Sequence, residues 1–445
     1  MRITGFRTLT TVQEWGRPVG DANGIHPGGA VPVPLVLVDT DAGLTGVGIG
    51  PHAGLAEVFT ALEGEDPRCV TALYDRMLRR TFKAGHSGAL FGAIGALDTA
   101  LWDLKAKAAG EPLWRLLGGR VPRVPGYASG LDIGLDDEEL AAVYRDYAAH
   151  GLRAAKLKGG LDVERDRHRL TLVRDVLSRA SPGRRPALML DANETWSRKQ
   201  AVRHICELER TLDLTWVEEP VRRWDAEGLA AVGRGVRAAV ASGENLTGLE
   251  QYRPLLAAGA VDVVQASAVW GVTHFLRVAA LAHAHDLPVS PIGNTPVALV
   301  HAAASLPNHL VSEVQELRPP AGLHIDLHVG DGAFVLGGSP GLGIHVDEAA
   351  IAAAAPAATS PAAPAGDGPA VRPAAAGLRL LAVPGEDTAG PGPGRPDRPA
   401  ASGGPPRRPG GATGTSTSTG TGTGTGTGTN SVTGTGAGAP YTAHH

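Results

Sequence analysis

Lys156-x-Lys158, Asp191, Glu218 and Glu244 are of the types, and in the order, that metal-assisted proton transfer requires. Each lies in or just beyond a short apolar run, in AAKLKGG, ALMLDAN, TWVEEP and AVASGEN, and helix-like stretches separate the runs. Strands alternating with helices imply a parallel sheet. In a closed parallel barrel every strand C-terminus opens at one mouth, so the four positions converge there. Three carboxylates in one cleft repel one another unless a divalent cation lies between them. Lysines two apart on a strand project to the same side, here the barrel interior, and a buried lysine without a use is costly. Their repulsion and the adjacent cation predict a pKa lowered toward neutrality for at least one, as a general base needs. The residues alone leave salt-bridged carboxylates, a phosphate-binding lysine pair and a Schiff-base lysine as alternatives.

The elements that must position these groups are legible. From Val121 to about Gln315 eight strand signals recur: the four runs above with VPGYASG before them, then VDVVQAS, LPVSPIG and LVSEVQ. Amphipathic stretches such as Asp136 to His150 and Val163 to Arg179 lie between them. No Gly-x-Gly-x-x-Gly follows a strand and opens a helix, so a dinucleotide fold lacks its main signature. The fold class is α/β: a modified (β/α)7β barrel at 121–322 behind an N-terminal α+β capping domain at 1–120. A return segment follows at 323–350. Residues 351–445 are rich in Ala, Pro, Gly, Ser and Thr, with Thr-Gly alternation near the end, and have too little to bury to offset ordering. They are expected to form a disordered tail. Glu14 to Ala30 and Thr81 to Gly88 read as mobile loops able to cover the mouth.

The formal charge of −4 over 445 residues, with no basic stripe, argues against nucleic acid. No apolar run is long enough to span a membrane and no leader precedes the first strand, so a cytoplasmic protein is expected. Cys69 and Cys206 lack metal-site spacing.

Taken together, the VDTDAGLTGVG segment from Val38, LDTALWDLKAK from Leu97, Leu116-Leu-Gly-Gly119, Asp191-Ala-Asn193, Val217-Glu-Glu-Pro220, Ser242-Gly-Glu-Asn245 and Pro340-Gly-Leu-Gly343 resemble the mandelate racemase and muconate lactonizing enzyme branch of the enolase superfamily. The resemblance runs over nearly all of residues 1–350. It implies Mg²⁺-assisted removal of the proton α to a carboxylate through an enediolate, on a small carboxylate substrate, in a homo-oligomer. It implies Asp191, Glu218 and Glu244 as Mg²⁺ ligands, Lys158 as base and Lys156 holding the substrate carboxylate. Glu313, closing the eighth strand, matches the family's acid that hydrogen-bonds the substrate, and must then be protonated. Glu219 alternates to the other side of its strand and reads as a structural partner. Asn193, Ser267 and Asn294 are placed at the mouth as substrate contacts. His26 and His86 are offered by the two loops, alongside Trp15, Arg17 and Lys83.

The chain departs from the pattern at two points. Ser267 stands where the sixth strand's aspartate is expected and Ile292 where the seventh strand's histidine is expected. No lysine lies between Val261 and Thr273 to serve instead. His283 and His285 precede the seventh strand at the closed face, and His301 falls inside the following helix. One equipped face predicts a one-base lyase, a dehydratase of an acid sugar or similar hydroxy acid. A cycloisomerase or epimerase borrowing an acid from the loops, and a non-catalytic barrel binding Mg²⁺ and a carboxylate, are the rivals.

Overall fold

The computed structural model describes residues 1–293 and 295–354. Asn294 and the tail from 355 lie outside the described residues, as does the expectation of disorder there. Strands β1 (Ile3–Glu14), β4 (Ala30–Thr40) and β5 (Thr45–Ile49) form an antiparallel sheet, and β2 (Val19–Asp21) pairs with β3 (Gly24–His26). The segment expected to be a loop is therefore largely a hairpin. Four helices follow: α1 (Leu55–Phe59), α2 (Val70–Arg80), α3 (Gly88–Ala109) and α4 (Leu113–Leu116). Helix α3 is apolar nearly all round and buried along most of its length, as its low charge requires. It ends at Gly110 in the left-handed region (φ 69°), where glycine carries no Cβ penalty.

Among the described residues, eight parallel strands then alternate with seven helices: β6 (Arg123–Ser129), α5 (Asp137–Ala149), β7 (Ala154–Lys158), α6 (Val163–Ala180), β8 (Ala187–Asp191), α7 (Arg198–Leu208), β9 (Leu214–Glu218), α8 (Ala226–Gly235), β10 (Ala239–Ser242), α9 (Leu249–Ala257), β11 (Val263–Ser267), α10 (Val272–His283), β12 (Val289–Ile292), α11 (Val297–Ala303) and β13 (Ser312–Val314). Each strand neighbours the next in the sheet from β6 to β12, and β13 pairs with β6 to close the ring. Local chemistry sets the helix starts. Asp136 and Glu139 form a reciprocal capping box on α5, and the Asp162 carboxylate accepts the Arg165 N–H at 2.8 Å on α6. A lower core layer of Tyr127, Met189, Trp216, Ala241 and Val263 fills the barrel beneath the mouth.

Strands β14 (Leu323–Ile325), β15 (Leu327–Gly330), β16 (Ala333–Leu336) and β17 (Ile344–Val346) return the chain, and α12 (Glu348–Ala354) ends the described structure. Ordered chain therefore runs past the expected tail boundary at 351. Ile351 is the reason: it is buried, with its side chain against Gly322. Ile351→Ala is expected to cost about 2–3 kcal/mol, the lower part of the range for a buried isoleucine, read as a lowered midpoint in chemical denaturation.

Candidate active site

Strand register alone aligns the central residues. Lys158 pairs with Asp191, Asp191 with Glu218, and Glu218 with Ala241, the residue before Ser242 at the end of β10. The strand ends thus set Lys158, Asp191 and Glu218 side by side. Glu244 follows two residues after β10. All four side chains, with Lys156 and Glu313, are buried or nearly so.

The charges interlock. Lys156 Nζ lies 2.5 Å from Glu218 Oε1, 2.9 Å from Glu313 Oε1 and 3.7 Å from Asp191 Oδ2. Lys158 Nζ lies 2.5 Å from Asp191 Oδ2. Burial pushes the Glu218 carboxyl up to about 8; Lys156 opposes this and Asp191 adds to it. Glu244 is likewise pushed up to about 8, by burial and then by Glu219. For Asp191 burial acts upward, but Lys158 and Lys156 outweigh it and hold the group below the usual carboxylate range.

The protein's own charges and backbone bear on three of the expectations. Among the protein's own charges both lysines are held up: burial acts downward, but Asp191 on Lys158, and Glu218 and Glu313 on Lys156, outweigh it, so the expected lowering rests on the cation alone. Glu313 is lowered, not raised, because Lys156 and Lys158 overcome its burial. Its Oε2 accepts the Gly293 N–H and the Gln315 amide, both at 2.8 Å. Glu219 does not simply turn away. Strand β9 ends at Glu218 and Glu219 has φ 42°, so strand alternation no longer governs its direction. Its carboxyl is pushed up to about 8 by burial and by Asp191, and accepts the Asn245 amide at 2.9 Å. Asn193 (φ 44°) and Glu194 (φ 62°) are also left-handed, which places three strained residues at one rim.

The donor set suits a hard divalent cation: carboxylate oxygens from three neighbouring strand ends, with an Asn193 amide oxygen that is buried and has no hydrogen-bond partner. Among the described residues no three acidic or histidine side chains already enclose one point. The two ammonium groups sit between the carboxylates instead, and must release Asp191 and Glu218 for those groups to hold an ion.

The other expected contacts are distributed around the mouth. Asn193 donates its backbone N–H to Asp191 Oδ1 at 2.9 Å and its amide to Oδ2 at 3.2 Å. Ser267 pairs in register with Ile292, so the two departures from the family pattern are neighbours on one wall. Ile292 is buried. His26 is exposed on the β2–β3 hairpin. His86 lies 3.4 Å from Glu250, and its carbonyl accepts the Thr247 hydroxyl, which ties it to the segment after Glu244 rather than to the carboxylate cluster. His301 is packed in α11, where its Nδ1 accepts the Trp114 N–H.

Sequence reasoning missed three supports. The Gln265 amide donates to Glu218 Oε2 at 2.6 Å; it stands two before Ser267, so strand alternation already put it on the interior face. Tyr127 lies beneath Lys156, whose Nζ is 5.6 Å from the ring centroid. Asp132 accepts the Lys158 N–H at 3.1 Å, the Tyr144 hydroxyl at 2.7 Å and Arg169 at 2.7 Å. Nothing in the sequence around Asp132 signals this. Removing its charge strands the buried Arg169, so Asp132→Asn is expected to lower stability by about 3–5 kcal/mol in denaturant unfolding.

Comparison with known proteins agrees with this geometry. The profile for the mandelate racemase / muconate lactonizing enzyme N-terminal domain matches residues 15–118, and that described as enolase C-terminal domain-like matches 139–350. The chain is 33% identical to 3,6-anhydro-alpha-L-galactonate cycloisomerase of Streptomyces coelicolor, over 70% of this chain and 88% of that protein. It is 34% identical to L-talarate/galactarate dehydratase of Salmonella typhimurium, over 68% and 75%. The structure of L-talarate dehydratase from Polaromonas sp. JS666, complexed with Mg and L-glucarate, superposes with a TM-score of 0.69 at 32% identity, covering 79% of this chain and 96% of that one.

Proposed function

Because the chain belongs to the mandelate racemase and muconate lactonizing enzyme family, we propose that it removes the proton α to the carboxylate of a hydroxy acid and eliminates water, as an acid-sugar-type dehydratase. The observation that carries this reading is the register-matched set of Lys158, Asp191 and Glu218, with Lys156 bridging Glu218 and Glu313. Asp191, Glu218 and Glu244 would hold Mg²⁺, with Asn193 oxygen at the same rim. When bound, the ion supplies positive charge against the substrate carboxylate, on which negative charge grows as the proton leaves.

The protein's own groups then divide the work. Lys158, once Asp191 has turned to the ion and no longer holds its ammonium proton, would take the α-proton from the β7 side. Lys156 and the ionised Glu313 fix the carboxylate end, Lys156 by charge and Glu313 by accepting a hydroxyl hydrogen bond. Asp132 holds the backbone at Lys158, which limits the base to one approach. The opposite wall carries Ile292 and Ser267, neither of which titrates in the working range, so among the described residues these two supply no second base there. This favours elimination, in which Lys158 can return its proton to the departing hydroxide, over two-base epimerisation.

A cycloisomerase is the second reading, favoured by the similarity to the Streptomyces enzyme. NMR of acid sugars with the protein and Mg²⁺ in D₂O separates the two. Exchange of the α-proton with loss of water supports dehydration. Exchange with conserved mass and ring closure supports cycloisomerisation. No exchange across hydroxy acids, with Mg²⁺ bound, would leave the non-catalytic barrel standing.

A further inference from the structure

Strands β7 and β11 are four apart in the eight-strand ring, so the wall at Ser267 lies across the mouth from Lys158. Beyond Ser267 a cavity of about 410 Å³ opens between the N-terminal sheet and the barrel. Val31 and Val33 of β4, Ile49 of β5, Val269 after β11 and Ala298 of α11 are among its lining. Among the described residues no Asp, Glu, Lys, Arg or His lines it; hydroxyls come from Thr99, Ser267 and Thr295. One residue joins the cavity to the acid site: Gly293 lines the cavity and donates its N–H to Glu313.

We propose that this cavity is a substrate subsite for a saturated hydrocarbon chain, and that the substrate is a 2,3-dihydroxy carboxylate whose chain beyond C3 is alkyl. The assignment rests on the dehydratase reading for the carboxylate end only. A polyhydroxylated chain would bury each hydroxyl against Val31, Val33 and Val269 with few groups to receive it. A second terminal carboxylate, as in galactarate, would find no cation on this wall. One methylene in an apolar pocket changes specificity by roughly 10–200-fold, so even a short alkyl chain dominates the choice.

The test uses the full chain with Mg²⁺ in D₂O. Exchange of the C2 proton is compared between 2,3-dihydroxyhexanoate, as its diastereomer mixture, and the fully hydroxylated hexonates. At least tenfold more efficient exchange of the dihydroxy acid is expected, and Ala298→Phe, which fills the cavity, should reduce that preference at least fivefold. Equal or faster exchange of the hexonates would overturn the subsite while leaving the dehydratase reading intact. Calorimetric binding of hexanoate reads the subsite without turnover, with Val269→Asn, a shape-sparing variant, expected to weaken it at least fivefold. Binding with that weakening but without exchange on any acid, glycerate included, would overturn the dehydratase reading and keep the subsite. Hexanoate binding insensitive to both variants would overturn the subsite.

Discussion

Lys158→Ala is expected to lower α-proton exchange by about 10²–10⁴-fold, the range for loss of a positioned general base, while Mg²⁺ affinity stays the same or rises. The two halves of that expectation come from one contact. Lys158 Nζ sits 2.5 Å from Asp191 Oδ2, so in the protein alone the ammonium occupies an oxygen that an ion would need. Removing it deletes the base and frees the carboxylate together. A lysine that only neutralised Asp191 would behave differently: its loss would weaken folding and leave exchange, measured per folded molecule, unaltered. Lys158→Arg sharpens the distinction, because it keeps the charge on Asp191 but cannot deprotonate in the working range. Exchange surviving in the arginine variant would move the base to another residue. In the wild type exchange should rise with pH, since the unprotonated fraction of Lys158 grows as pH climbs.

How far the sequence carries the site depends on whether a residue's role is local. The eight apolar runs were readable because each strand is buried on both sides and punctuated by a charged or glycine-rich end, and register then does the rest. Asp191 and Glu218 needed nothing more than their places at strand ends. For Glu219 the structural-partner role fits its contact with Asn245, but alternation does not set its direction, because the backbone turns into the left-handed region at that residue. The pairing of charges was illegible for a non-local reason. The lysine-to-carboxylate distances come from side chains of different strands meeting inside the barrel, which no local pattern in the sequence encodes. Asp132 lies furthest from sequence reasoning, since its partners Tyr144, Lys158 and Arg169 come from three successive elements of the barrel.

Glu244→Gln separates a metal centre from a cluster of salt bridges, because the two assign opposite signs to the change. Glu244 has no lysine at salt-bridge distance; its Oε1 accepts the Asn245 amide at 3.0 Å, and its backbone carbonyl accepts the Trp270 indole N–H at 2.8 Å. After burial, the largest influence on it is another carboxylate, Glu219, with Lys158 opposing from beyond salt-bridge distance. In metal-free buffer the glutamine variant therefore relieves repulsion and keeps the shape, and its melting temperature should equal or exceed that of the wild type. With Mg²⁺ the order should invert. Losing one of three anionic ligands lowers the attraction for a hard cation, and an affinity loss on the order of 100-fold removes about 2.3 kcal/mol of ligand-linked stabilisation where Mg²⁺ stands at about 100 times the wild-type Kd. Melting curves of both proteins over a Mg²⁺ titration measure this directly. A salt-bridge role would make the variant the less stable at every Mg²⁺ concentration, with parallel curves, and would dismiss Glu244 as a ligand. Crossing curves would tie Glu244 to the ion, and with it the reason a buried carboxylate stands beside Glu219 with no cationic partner of its own.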